Sequence, residues 1–179
     1  MKHIGTVTLQ TNRLILRKFQ MNDASMMYNN YASDPLVTKY LTWKHHADVS
    51  TTKEILSMWI NSYDNLKNYQ WAIVLKDINE VIGGISIVDI NEVNDSVEVG
   101  YCLSRKYWNC GYTTEALKEV IRFCFEVIGV KEVTGRFAQD NIASGKVMEK
   151  CGMIYTHDTL ARNNQKKYIV CKNYSIKRK

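Results

Sequence analysis

Apolar positions recur along this chain with two different periods. In "RLILRKF" (residues 13–19) they alternate, the period of a half-buried strand. Asn22 or Asp23 can then cap a helix over "DASMMYNNYA". Asp34 before Pro35 makes a second helix start in "SDPLVTKYL". In "DVSTTKEILSMWINSY" (48–63), Ile55, Met58 and Trp59 fall at helical spacing, which predicts a core face or the wall of a groove. A β-rich stretch follows. "QWAIVLK" and "VIGGISIVDI", joined by "DINE", read as a hairpin, and "SVEVGYCLS" (96–104) reads as a further strand. The helical period then returns in "TTEALKEVIRFCFEVIGV". Leu117, Val120, Ile121, Cys124 and Ile128 form one stripe, and Glu115, Lys118, Glu119, Arg122 and Glu126 form the polar face. Gly129 suits the end of that helix. "KEVTGRFA" predicts a strand, "NIASGKVMEKCGM" a short helix from about Asn141 to Gly152, and "IYTHDTLAR" with "KKYIVCKNYSI" a closing hairpin.

The order is one strand, helices, three strands, a helix, a strand, a helix and two strands. That is a mixed α/β sheet. A crossover through the long helix predicts a parallel pair between strands 96–104 and 132–138. No repeat or low-complexity tract interrupts the chain, and Pro35 is its single proline. One domain over residues 1–179 is expected.

Composition narrows the chemistry. The chain is 45% hydrophobic and 23% charged, an ordinary globular balance. No apolar run is long enough to span a bilayer, and no secretory leader pattern opens the chain. The five cysteines (102, 110, 124, 151, 171) are odd in number and form no CxxC pair. This argues against a disulfide framework or a zinc site and for the cytoplasm. The four histidines make no HExxH pattern. A net charge of +6 suits polyanions or phosphorylated ligands, and equally plain solubility; part of it sits in the basic tail "SIKRK".

Two neighbouring features carry candidate chemistry. On strand 96–104, Val97, Val99, Tyr101 and Leu103 alternate with Glu98, Gly100 and Cys102. Glu98 thus stands on a face of small residues, where Gly100 leaves room; a surface carboxylate on a half-exposed strand has the same pattern. After the strand, "WNCGYTTEA" (108–116) places Gly111 just before the long helix. The free N–H groups and dipole of a helix start can hold an anion such as a diphosphate. There is no GxxxxGK[ST] and no GxGxxG, so neither a P-loop nor a nicotinamide site is indicated.

Together, "VEVGYCLS", "WNCGYTTEA" and "NIASGKVMEKCGM" resemble the cofactor half of the GNAT N-acetyltransferases, in particular the RimJ/RimL-like branch that acetylates ribosomal-protein N-termini. The opening "LQTNRLILRKFQMNDA" and the "VIGGISI" strand extend the likeness over nearly the whole chain. The resemblance implies a central, mostly antiparallel sheet with one splayed parallel pair, flanked by helices. It implies acetyl-CoA as cofactor and a primary amine as acceptor, either a protein N-terminus or a small molecule. It implies that Tyr101, Cys102 and Leu103 offer backbone groups to the pantetheine arm. Trp108, Asn109, Cys110, Gly111, Tyr112, Thr113 and Thr114 would form the diphosphate loop, and Asn141 would contact the cofactor. Glu98 takes the place of the general base, and Ser144 that of the group protonating the leaving thiolate. The resemblance also allows a homodimer.

Those roles make chemical sense. An amine attacks a thioester only as the free base, and α-amines and lysines have pKa values of about 8 and about 10.4. A carboxylate attracts the cationic amine and removes its proton. N–H groups near Tyr101 are candidate donors to the developing oxyanion. Cys102 and Cys110 need not be nucleophiles. Two residues depart from the branch's pattern: Asn109 stands where a glycine is usual, and Thr113 where an alanine is usual. The position of the superfamily's tyrosine acid holds Met148, which leaves Ser144, a water or another residue for that step. A non-catalytic module that binds acyl-CoA or RNA is the alternative from a different class, resting on the positive charge alone. No RNA-stacking motif supports it, so nucleic acid is not expected as a direct partner.

Overall fold

The computed structural model describes residues 1–178; the last lysine of the basic tail lies outside the described residues. Eight strands form one sheet: β1 (Leu9–Gln10), β2 (Leu14–Arg17), β3 (Tyr69–Leu75), β4 (Glu80–Asn91), β5 (Ser96–Leu103), β6 (Glu132–Ala138), β7 (Ile154–Arg162) and β8 (Tyr168–Lys177). Their spatial order is β1-β2-β3-β4-β5-β6-β8-β7. All neighbours are antiparallel except β5 and β6, which run parallel. The expected crossover is therefore present, through helix α4 (Tyr112–Phe123).

The sheet is covered on both faces. Leu14 and Leu16 with Trp71, Ile73, Val97 and Val99 pack toward Leu117, Val120, Ile121 and Phe123 of α4. The alternate positions Ile15, Ala72 and Val74 join Met27, Tyr31 and Leu56 on the other face. Helices α1 (Ala24–Met27), α2 (Pro35–Thr38) and α3 (Val49–Ser62) belong to this second layer, and α5 (Ile142–Lys150) lies beside α4. Burial on both sides explains why β3 and β4 read as nearly continuous apolar runs.

The expected cap at Asp34 forms, accepting from the Leu36 N–H, and Asp48 likewise caps α3, accepting from the Thr51 N–H. Other boundaries differ from the sequence reading. The helix expected over "DASMMYNNYA" is a short α1 that widens into a π turn over Tyr28–Ala32, where the Ser33 N–H reaches back to the Tyr28 carbonyl. The long helix widens likewise over Cys124–Ile128 and ends at Gly129, whose φ is +81°. Helix α2 covers only four residues. Met58, expected on the inward face of α3, is exposed, because the buried stripe of that helix runs through Thr52 and Leu56.

Candidate active site

The parallel ladder between β5 and β6 is short. It pairs Ser96–Val99 with Glu132–Gly135 and then stops, while β4 stays paired with β5 through Leu103 and β8 with β6 through Ala138. The two strands therefore part at Gly100 and Arg136. The Ser104 N–H bonds the Ile82 carbonyl of β4. By the alternation of an antiparallel ladder, Cys102 also faces β4, and the backbone groups of Tyr101 and Leu103 face the gap. The Leu103 carbonyl is taken by the Trp108 indole N–H at 2.9 Å. The Tyr101 N–H and carbonyl and the Leu103 N–H remain for a ligand strand.

A cavity of about 420 Å³ occupies this gap and reaches both faces of the sheet. Glu98, Tyr101, Cys102, Asn141 and Ser144 all line it, with Trp59, Trp43 and Tyr40 on the α1–α3 side and Met148 on the α5 side. Tyr63, at the end of α3, is buried away from the cavity, its hydroxyl accepting from the Phe19 N–H and donating to the Gln70 carbonyl. Close packing of α5 on β6 makes the wall. A Cβ on Gly145 would lie 2.6 Å from the Phe137 ring, and one on Gly135 would lie 2.8 Å from the Met148 methyl.

Glu98 is half-buried, with its carboxylate 3.1 Å from the Arg136 guanidinium. Its strand partner across β4 is Asp89, next to a bulge at Val88. Burial raises the Glu98 pKa above the ordinary carboxylate value; Arg136 works to lower it, and Asp89 adds to the rise. A more basic carboxylate is what proton abstraction needs. On the opposite wall the Ser144 hydroxyl lies 2.9 Å from the Tyr101 phenol, which also donates to the Ser144 carbonyl at 3.0 Å. Burial pushes the Tyr101 phenol up, so it stays protonated. Cys102 is pushed up to about 12 by burial and is a thiol, not a thiolate, at neutral pH.

The residues expected to hold the diphosphate follow β5 and do not line the cavity. Trp108 and Cys110 are exposed on a tight turn that enters α4. Gly111 caps the helix with φ +81°, and Asn109 has φ +62°. Asn109 thus holds the left-handed conformation a glycine would take, and asparagine is among the few side chains that tolerate it. Tyr112, Thr113 and Thr114 are the first residues of α4, where backbone N–H groups have no helical partner.

The acetyltransferase (GNAT) domain pattern matches residues 13–154. The chain belongs to the GNAT acetyltransferase family. It is 32% identical over 161 residues to the uncharacterized N-acetyltransferase p20 of Bacillus licheniformis, covering 89% of this chain and 88% of that one. Its fold matches the ribosomal-protein-S5-alanine acetyltransferase of Vibrio fischeri with a TM-score of 0.81 at 18% identity, over 96% of each chain. It also matches the microcin C7 self-immunity acetyltransferase MccE, solved with acetyl-CoA and AMP, with a TM-score of 0.84 at 19% identity over 94% of each chain. Among the described residues no helix is long and apolar enough to cross a membrane.

Two contributors escaped the sequence reading. The Tyr101 side chain, valued there only for its backbone, holds Ser144. Glu115, read as part of a solvated helix face, binds Thr11 and Arg13 from the start of the chain. Alternation and helical spacing carry no signal for either contact, because both join residues tens of positions apart.

Proposed function

We propose that this acetyltransferase moves an acetyl group from acetyl-CoA to a primary amine by direct attack, with Glu98 as general base. One observation carries the reading: Glu98 and Ser144 line opposite walls of one cavity at the point where β5 and β6 separate. The site fits the cofactor. The open edge at Tyr101 and Leu103 suits the amide-bearing pantetheine arm, and the Asn109–Gly111 turn with the α4 start suits the diphosphate. When bound, acetyl-CoA supplies the acetyl group as an activated thioester.

The chain's own residues divide the remaining work. Asp89 beside the Glu98–Arg136 pair leaves net negative charge where a cationic amine enters, and Glu98 takes its proton. The Tyr101 N–H is a donor for charge developing on the acetyl oxygen. Ser144, held by the Tyr101 phenol at 2.9 Å, gives a proton to the leaving sulfur and regains one from solvent. Cys102, held as a thiol, takes no covalent part. The acceptor is a protein N-terminal amine or a small amine, entering between the α1–α3 layer and the sheet past Tyr40, Trp43 and Trp59.

Thiol release measured over a panel of N-terminal peptides and small amines tests this reading. Acetyl-CoA-dependent release with at least one amine is expected, and Glu98→Gln should lower turnover about 10²-fold while leaving acetyl-CoA affinity within about twofold. Equal turnover by the variant would remove Glu98 from the mechanism.

A further inference from the structure

Arg13 immediately precedes β2, about a hundred positions before α4, yet its guanidinium lies against the turn that enters α4. One nitrogen donates to the Cys110 carbonyl at 3.0 Å. Another meets the Glu115 carboxylate at 2.7 Å, and the plane of the group covers the Tyr112 ring at 4.3 Å. The remaining nitrogen, Nη2, stands 3.5 Å from where a Cβ on Gly111 would lie. Glu115 is held further by the Thr11 hydroxyl at 2.6 Å and the Arg13 backbone N–H at 2.8 Å. Thus a single carboxylate in the first turn of α4 gathers three donors from residues about a hundred positions away.

This arrangement resolves a conflict of charge. The start of α4 is suited to an anion, yet it carries its own carboxylate, Glu115. An unpaired carboxylate there satisfies the dipole itself and repels a diphosphate. Arg13 cancels that charge, and the same side chain ties down the Cys110 carbonyl of the turn. The turn contains Asn109 and Gly111, both at positive φ, a conformation that side-chain-bearing residues rarely adopt, so contacts from outside the turn help to hold its shape.

We propose that Arg13 is a positioning residue for the diphosphate of acetyl-CoA: it neutralises Glu115 and locks the 108–111 turn in its anion-binding shape. The proposal rests on acetyl-CoA as the donor. It assigns Arg13 no contact with the acetyl group or the acceptor, so its effect should fall on donor affinity and not on chemistry.

The test compares two donors, acetyl-CoA and S-acetylpantetheine, which carries the same thioester without the diphosphate. KM and kcat are measured for the wild type, Arg13→Gln, Arg13→Lys and the double variant Arg13→Gln/Glu115→Gln. For Arg13→Gln the KM for acetyl-CoA should rise about tenfold or more, the size of one lost charge-assisted contact. Its kcat, and its KM for S-acetylpantetheine, should stay within about twofold. The double variant should recover part of the lost affinity, because the repelling carboxylate is gone; a purely structural role would make it worse. Arg13→Lys keeps the charge and should fall between. A wild type that favours acetyl-CoA beside an Arg13→Gln variant with an unchanged KM ratio would overturn the inference alone. A wild type with no preference between the donors would overturn both the inference and the donor assignment.

Discussion

At the scale of single residues, the site depends on where charge and protons sit. Glu98 is raised chiefly by burial and pulled back by Arg136. As a base it works only when ionised, so activity is lost as pH falls through its pKa in the folded chain. The acid limb of kcat/KM should therefore lie above the ordinary glutamate value. Arg136→Gln removes the lowering influence, so that limb should move to higher pH; an unmoved limb would show that Arg136 does not face the working carboxylate. Tyr101→Phe removes the phenol from Ser144. Turnover should fall about tenfold to a hundredfold, with acetyl-CoA affinity nearly unchanged, as single- and multiple-turnover kinetics would show. The Glu98 position was legible in the sequence because strand alternation puts it beside Gly100. The Tyr101–Ser144 bond was not, since it joins residues 43 positions apart that only the packing of α5 on β6 brings together.

At the scale of elements, two close approaches shape the site. Gly145→Ala would set a methyl carbon 2.6 Å from the Phe137 ring, and Gly135→Ala would crowd Met148. Overpacking of this kind costs about 1–3 kcal/mol, so thermal unfolding of Gly145→Ala should begin at lower temperature. In the turn before α4 the sequence offered an unexpected asparagine, and the structure gives its reason in the φ of +62°. Asn109→Gly should therefore preserve acetyl-CoA affinity, whereas Asn109→Val should cost about 1–2 kcal/mol in backbone strain and raise KM. Calorimetric binding of the two variants separates these outcomes. Helix interiors and strands with clear periods were legible along the chain. The π turns at Tyr28–Ala32 and Cys124–Ile128 were not, because one extra residue in a turn leaves the apolar spacing almost intact. Met58 was misplaced for a similar reason: spacing identifies a stripe, but the sheet beneath decides which stripe is buried.

At the scale of the whole molecule, the proposed mechanism uses one parting of the sheet. In it, β5 supplies the base and the open edge, its turn into α4 the anion site, and α5 the proton donor from the far wall. The single parallel pair was legible, because a strand–helix–strand crossover leaves little choice of direction. How soon that pair separates was not, since strand alternation runs on through Leu103 and Ala138 with no mark at the last pair, Val99 and Gly135. Binding across the parted strands links both halves of the molecule, so acetyl-CoA should raise the unfolding temperature. At a hundredfold excess over Kd the stabilisation is about 2.7 kcal/mol, and a melt without any shift would contradict binding at this place. The central claim is direct transfer from thioester to amine. Mass spectrometry of the enzyme with labelled acetyl-CoA, before and after adding an accepted amine, tests it most directly. The account predicts no acetyl group on Cys102, Cys110 or any other side chain beforehand, and one thiol released per amine acetylated afterwards. An acetylated enzyme that passes its label to the amine, or no transfer to any amine in the panel, would contradict it.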